Sequence, residues 1–323
     1  MSASESLQPT EPELAQLRRF NRRLAWLPRF RIRNRLAPLA IQGLLRIGQL
    51  GASGKLARRG VNAERRQVSA GGVPVWVRII RPKVKPVGVV LDFHGGGWVI
   101  GNAQMNDAFN IAMVEECGLA VVSVDYRLAV STPLEGLLDD CFAAACWLLN
   151  EDCKEFAGLP VMVVGESAGG HLAAATLLKL KTRPAMFDRI KGAVLYYGVY
   201  DLTGSESVRT AGRDTLVLDG PGMVDALRLL TPGLSDQERR QPHLSPLYGD
   251  FADFPPALLF VGELDPLRDD TLGIAGRWSN AELHVLPESP HGFIHFPTTM
   301  AQKVLAFSRT WMSRRLSASQ RTS

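Results

Sequence analysis

The sequence predicts a doubly wound α/β fold, a mostly parallel sheet covered by helices on both faces. Short continuous apolar runs recur at Leu119–Val124, Val161–Val164, Gly192–Tyr197, Ala257–Val261 and Leu283–Leu286. Helix-length segments separate them, so each strand must cross over to reach a parallel neighbour, and burial on both faces removes the usual alternation. The run at Val161 also passes straight through a glycine-rich turn into a helical pattern, as a β-turn-α unit does.

Along the chain, the polar opening MSASESLQPTEP is expected to be frayed. Leu14, Leu17, Phe20, Leu24 and Leu27 then recur at helical spacing, as do Leu39, Leu44, Leu45 and Ile47 beyond Pro38, giving two amphipathic helices. Gly48, Gly51 and Gly54 interrupt the pattern before a basic stretch to Arg66. Val73–Ile80 and Val87–Phe93 are β-rich runs divided by the Pro82–Pro86 turn, and are expected to pair as a hairpin. Helices follow at about 136–150 and 168–182, with a last one at about 299–316. Residues 202–253, with a helical patch near Met223–Leu230, are too long for a connection and form an insertion over one end of the sheet.

Composition narrows the class. With 323 residues, 46% hydrophobic and 21% charged, the chain fits one large α/β domain with additions, or two domains, and its composition excludes collagen-like, coiled-coil and disordered readings. Cys117, Cys141, Cys146 and Cys153 form no C-x-x-C pair and are expected to be reduced thiols. The overall charge of +5 divides into +10 over residues 1–66 and −5 beyond. Arg18, Arg19, Arg22, Arg23, Arg29, Arg31, Arg33 and Arg35 break every apolar stretch there. Neither a signal-peptide core nor a run of about 18 apolar residues exists, which makes the cytoplasm the expected compartment. No nucleic-acid motif surrounds the arginines, and a solvated face is the simpler account.

The chemistry concentrates at strand ends. Gly165-Glu166-Ser167-Ala168-Gly169 between a strand and a helix has the context of a nucleophile elbow, in which small flanking residues permit a sharp turn that lifts the serine hydroxyl. His94-Gly95-Gly96-Gly97-Trp98 follows another strand. A tight turn alone accounts for one or two glycines, whereas three suit a loop whose amides approach a ligand. Gly96 and Gly97, with Ala168, are the candidate oxyanion donors. The serine needs a base and the base an orienting acid. His291, in the turn-prone Ser289–Phe293 loop after the last strand, is the candidate base; His94 belongs to the glycine loop, His171 to the helix after the elbow, and His243 and His284 to the surface or packing. His291 and His295 also have H-x-x-x-H spacing, but no third metal ligand is near. Asp265 stands at a strand-to-loop transition before Pro266 and is the candidate acid, with Asp269 and Asp270 expected in the next helix.

Together, His94–Gly97, Asp125-Tyr126-Arg127-Leu128-Ala129, the Ser167 elbow, Asp265–Asp269 and His291-Gly292-Phe293 resemble the hormone-sensitive-lipase-like, or bacterial family IV, carboxylesterases of the α/β-hydrolase superfamily. The resemblance spans about residue 75 to the C-terminus. It implies an α/β-hydrolase fold with a helical cap, built from residues 1–66 and 202–253 over a catalytic domain of 67–201 and 254–323. It also implies Ser167, Asp265 and His291 as a triad that hydrolyses short- to medium-chain acyl esters through an acyl-enzyme. No metal or organic cofactor is needed. The implied partner is a small-molecule ester; no nucleic acid or membrane contact is expected, and a homodimer stays open. An amidase or peptidase with the same triad, or a non-catalytic ligand-binding homologue, are the alternatives. Two positions depart from the family: Glu166 replaces the usual Asp, and Val130-Ser131-Thr132-Pro133 replaces the usual Pro-Glu after Ala129. Asp125 and Arg127 are expected to be a structural ion pair or loop brace.

Overall fold

The computed structural model describes residues 7–32, 36–50, 54, 56 and 60–319. Eight strands form one sheet: β1 (Asn62–Ala70), β2 (Val73–Arg81), β3 (Val89–Phe93), β4 (Ala120–Asp125), β5 (Val161–Glu166), β6 (Ile190–Tyr196), β7 (Ala257–Gly262) and β8 (Ala281–Leu286). Their spatial order is β1-β2-β4-β3-β5-β6-β7-β8, and every pairing from β4 to β8 is parallel. Helices α1 (Glu11–Leu24), α2 (Leu36–Gly48), α3 (Asp107–Cys117), α4 (Leu134–Leu149), α5 (Ala168–Leu180), α6 (Met223–Leu230), α7 (Arg268–Ala275) and α8 (Thr299–Ser319) surround it.

The continuous apolar runs serve two cores. Val161 and Val163 of β5 pack with α4 and α5 residues such as Leu137 and Leu172, while Met162 and Val164 pack on the other face with Met113 of α3 and Val304 of α8. Successive strand residues point to opposite faces, so both sets must be apolar.

The structure corrects several expectations. Val73–Ile80 and Val87–Phe93 are not a hairpin: β2 pairs antiparallel with β1 and β4, and β3 lies between β4 and β5. All five β3 residues are buried and need covered faces and two neighbours, which a hairpin at the sheet edge does not supply. The hairpin partner is β1, hidden in the sequence because Val68 is its one buried residue; Gly71 and Gly72, both at positive φ, make the turn. β1 also crosses the expected boundary at residue 66. Helix α3 carried no clear amphipathic signal, since it buries Asn110 together with Phe109, Ile111 and Met113.

The opening is ordered earlier than expected. Leu7 is buried and α1 starts at Glu11, where the Glu13 carboxylate accepts the Thr10 N–H at 2.7 Å. Leu17 and Leu24 are buried as the α1 stripe requires, but Leu27 lies beyond the helix and is exposed. In α2 the expected apolar stripe faces outward: Leu39, Leu44 and Ile47 are exposed, while Gln42 is buried with its side-chain amide bonded to both Gly101 N–H and C=O at 2.7 and 2.9 Å. Residues 1–6, Arg33, Arg35 and Gly51 lie outside the described residues. All four cysteines are free thiols, three of them buried. No helix among the described residues is long and apolar enough to cross a membrane.

Two buried carboxyls brace the sheet and the segments around it. Asp92 accepts from Ser123 and Asn110, and Asp270 from the Tyr200 and Asp201 amides at 2.6 and 2.8 Å and from Ser205. Burial pushes Asp92 up to about 6 and Asp270 up to about 7, against the pull of these donors. Both lie above their unfolded values, so the stability they contribute is whole below about pH 4 and is lost as pH rises through about 6 and 7. Urea unfolding is expected to show stability falling by on the order of 4 kcal/mol from these groups together between about pH 5 and 8. Asp270→Asn, which keeps an acceptor toward both amides, should flatten that fall.

Candidate active site

Parallel pairing of β3 with β5 sets Phe93 opposite Gly165, so the glycine loop and the elbow leave the sheet side by side. Ser167 occupies the turn at φ 52° and ψ −122°, a strained conformation for a non-glycine residue, and its N–H is held by Tyr196 C=O at 2.9 Å. The turn is possible because α5 starts against β3: a Cβ at Gly169 would lie 2.0 Å from the Phe93 carbonyl oxygen. In the glycine loop, Gly96 has φ 102° and a Cβ there would lie 2.2 Å from Ile100 C=O.

His291 reaches Ser167 from the loop after β8. Its Nε2 is 3.0 Å from Ser167 Oγ, and its Nδ1 is 2.8 Å from Asp265 Oδ2. Asp265 leaves β7 with its side chain fully buried, and its second oxygen accepts the Leu267 N–H at 2.9 Å. An acceptor at Nδ1 places the ring proton there, which leaves Nε2 free to accept the Ser167 hydroxyl proton. Ser167, His291 and Asp265 are thus brought together from three loops. Asp269 and Asp270 fall in α7 as expected, Asp269 accepting the Ser207 N–H at 2.9 Å. The Gly96, Gly97 and Ala168 amides donate to no backbone acceptor among the described residues.

The chain is similar to known hydrolases. A family model described as the alpha/beta hydrolase fold matches residues 90–295. The carboxylesterase NlhH of Mycobacterium tuberculosis is 32% identical over 231 residues, covering 68% of this chain and 70% of its own. The esterase LipW from Mycobacterium marinum superposes with a TM-score of 0.80 at 26% identity, covering 96% and 97% of the two chains. An esterase from the bacterial hormone-sensitive lipase family does so at 0.72 and 25% identity, covering 96% and 100%. The chain belongs to the α/β-hydrolase fold family. Within it, the chain is a hormone-sensitive-lipase-like carboxylesterase.

In this α/β hydrolase a cavity of about 460 Å³ opens onto Ser167, lined mainly by apolar groups including Phe30, Ile32, Leu218, Met223 and Leu227. Those residues come from the α1–α2 connection and from the 202–253 insertion, which are stitched together. Phe30 N–H donates to Val217 C=O at 2.7 Å, Asp219 N–H to Phe30 C=O at 3.1 Å, and Arg31 pairs with Asp219.

The other motif residues are braces. His94 is buried, stacked on Tyr126 at 4.1 Å, and the Tyr126 hydroxyl donates to His94 C=O at 2.7 Å; burial lowers the His94 pKa. His171 links Leu244 C=O, 2.7 Å from Nε2, to the Trp98 indole N–H at 3.2 Å, and burial pulls it down to about 4, so it is neutral. His243 is exposed, and His284 stacks on Phe260. Asp125 and Arg127 do not pair with each other: Asp125 meets Arg65, and Arg127 forks onto Asp140. His295 Nε2 lies 2.6 Å from Glu166 Oε2.

Sequence reasoning missed Tyr197, whose ring meets the His291 ring edge-on at 4.7 Å, and the Glu166–His295 contact. Only Glu166, as a departure from the family, carried any signal. Gly169→Ala is expected to be severe, because its methyl would overlap the β3 backbone. A loss of more than about 3 kcal/mol in urea unfolding, or a folded protein whose Ser167 resists fluorophosphonate labelling, checks it.

Proposed function

We propose that the protein is a serine carboxylesterase acting on short- to medium-chain acyl esters through an acyl-enzyme intermediate. The observation that carries this reading is the hydrogen-bonded line Asp265–His291–Ser167, set on a strained elbow at the mouth of an apolar cavity. The activity named for the NlhH relative supports the reaction class.

His291 takes the proton as Ser167 attacks the acyl carbon, and the amides of Gly96, Gly97 and Ala168 hold the oxyanion. The same imidazole then protonates the departing alcohol. Water, activated by His291, cleaves the acyl-serine and restores the hydroxyl. Asp265 keeps the ring oriented and balances its charge in each half. Residues 1–66, apart from Asn62–Arg66 that pair with β2 in the sheet, and residues 202–253 form the cap. The Phe30–Leu218 bridge and the contribution of both segments to the cavity support that division.

A p-nitrophenyl ester series of increasing acyl length, run beside the matched arylamide, tests the class: ester turnover should dominate and peak below long-chain lengths. Ser167→Ala should lower turnover by about 10⁴–10⁶-fold with folding intact, and His291→Ala nearly as much. Asp265→Asn should cost less, roughly 10²–10⁴-fold, since an amide still holds the ring. A fluorophosphonate that modifies a different serine would overturn the assignment.

Cavity volume should set chain length. Met223→Trp is expected to lower kcat/KM for octanoate at least about 10-fold while changing acetate by less than about 3-fold, as filling a hydrophobic pocket does. Equal losses on both esters would place the acyl chain elsewhere.

A further inference from the structure

The carboxylate beside the nucleophile has partners of its own. Glu166 ends β5 with its side chain only 6% exposed. Its Oε2 accepts the Tyr197 hydroxyl at 2.9 Å and lies 2.6 Å from His295 Nε2. Tyr197, held at φ 40°, packs its ring edge-on against His291. His295 ends the single turn Phe293–His295 that follows His291, so Glu166 ties the elbow to the loop that carries the base. Its other oxygen, Oε1, is buried without a hydrogen-bond partner among the described residues and faces Gly95 of the glycine loop.

This arrangement places a carboxylate–imidazole pair next to Asp265–His291, with Tyr197 between them. We propose that Glu166 and His295 act as a positioning pair that holds Tyr197 against His291 and, by remaining jointly neutral, keeps a lone buried charge away from the base. The inference rests on the reading of His291 as general base.

Electrostatics run in the same direction. Burial pushes the Glu166 carboxyl up, but the His295 charge and hydrogen bond, the Tyr197 hydroxyl and His291 outweigh it and hold Glu166 down to about 2. The Glu166 charge in turn raises His295, whose side chain keeps partial contact with solvent, against its partial desolvation. The other titratable groups that feel Glu166 are Asp92 below the sheet end, His94 and Tyr126 behind the glycine loop, and Tyr196. Asp92, Tyr126 and Tyr196 cannot be cations, and burial disfavours the charged form of His94, so none of these replaces His295.

Deleting the cation therefore leaves an uncompensated anion close to His291, which favours its protonated, inactive form. In His295→Gln the acid limb of the kcat/KM–pH profile should move to higher pH by on the order of 0.5–1 unit. Glu166→Gln added to that background removes the anion as well and should return the limb to the wild-type position, although kcat stays below wild type. His295→Lys, which keeps a positive charge, should leave the limb in place; it carries the test if the double variant does not fold. A pair that only packs would lower kcat in all three variants without moving the limb. An unmoved limb in His295→Gln overturns the proposal, as does a limb displaced equally in the variants that restore neutrality. Should the wild type lack an acid limb in a chemistry-limited step, the histidine-base reading fails instead.

Discussion

The close approach of β5 and the start of α5 to β3 is the constraint on which the site depends. The Gly169 backbone lies so near the Phe93 carbonyl that no Cβ fits between them. That contact forces the chain through a sharp turn at Ser167, and the turn holds the serine in a backbone conformation that only surrounding structure can maintain. The same β3–β5 register delivers the glycine loop beside the elbow, so hydroxyl and amides converge without any long-range adjustment.

Around that contact the molecule places buried polar groups in matched sets. Asp265 has His291 and a backbone amide, Asp270 has two amides and a serine, and Asp92 has a serine and two asparagines. An unpaired buried carboxylate costs several kcal/mol, so each of these sets ties separate segments of the chain to one another. Asp270 joins α7 to the loop after β6, and Glu166 joins the elbow to the His291 loop. The strand ends are thereby braced by groups that take no direct part in an acyl transfer.

The material over the cavity follows a different logic. The α1–α2 connection and the insertion meet through two backbone hydrogen bonds and the Arg31–Asp219 pair, which is half exposed on the arginine side. An exposed ion pair is screened by solvent and contributes far less than a core contact. Phe30 supplies the stronger link, lying against Gly97 of the glycine loop, where a bulkier residue would meet its ring. Access to Ser167 is thus coupled to how these two segments sit.

The sequence by itself determined the α/β class, the strands from β4 to β8, and which serine, histidine and aspartate meet at the strand ends. Those features are local: a doubly buried strand must be apolar throughout, and a turn with no room for side chains must be glycine. Tertiary structure alone decided which strands pair, because β1 is a polar edge whose partner is chosen by a turn and a neighbour. It also decided that α2 presents Gln42 inward and its leucines outward, since two backbone groups of Gly101 needed partners more than the helix needed a buried stripe. Likewise His295 has the spacing of a metal ligand but meets Glu166, 129 residues away. Spacing along a chain restricts where a side chain can reach, and only the packed loops determine which charge is there to meet it.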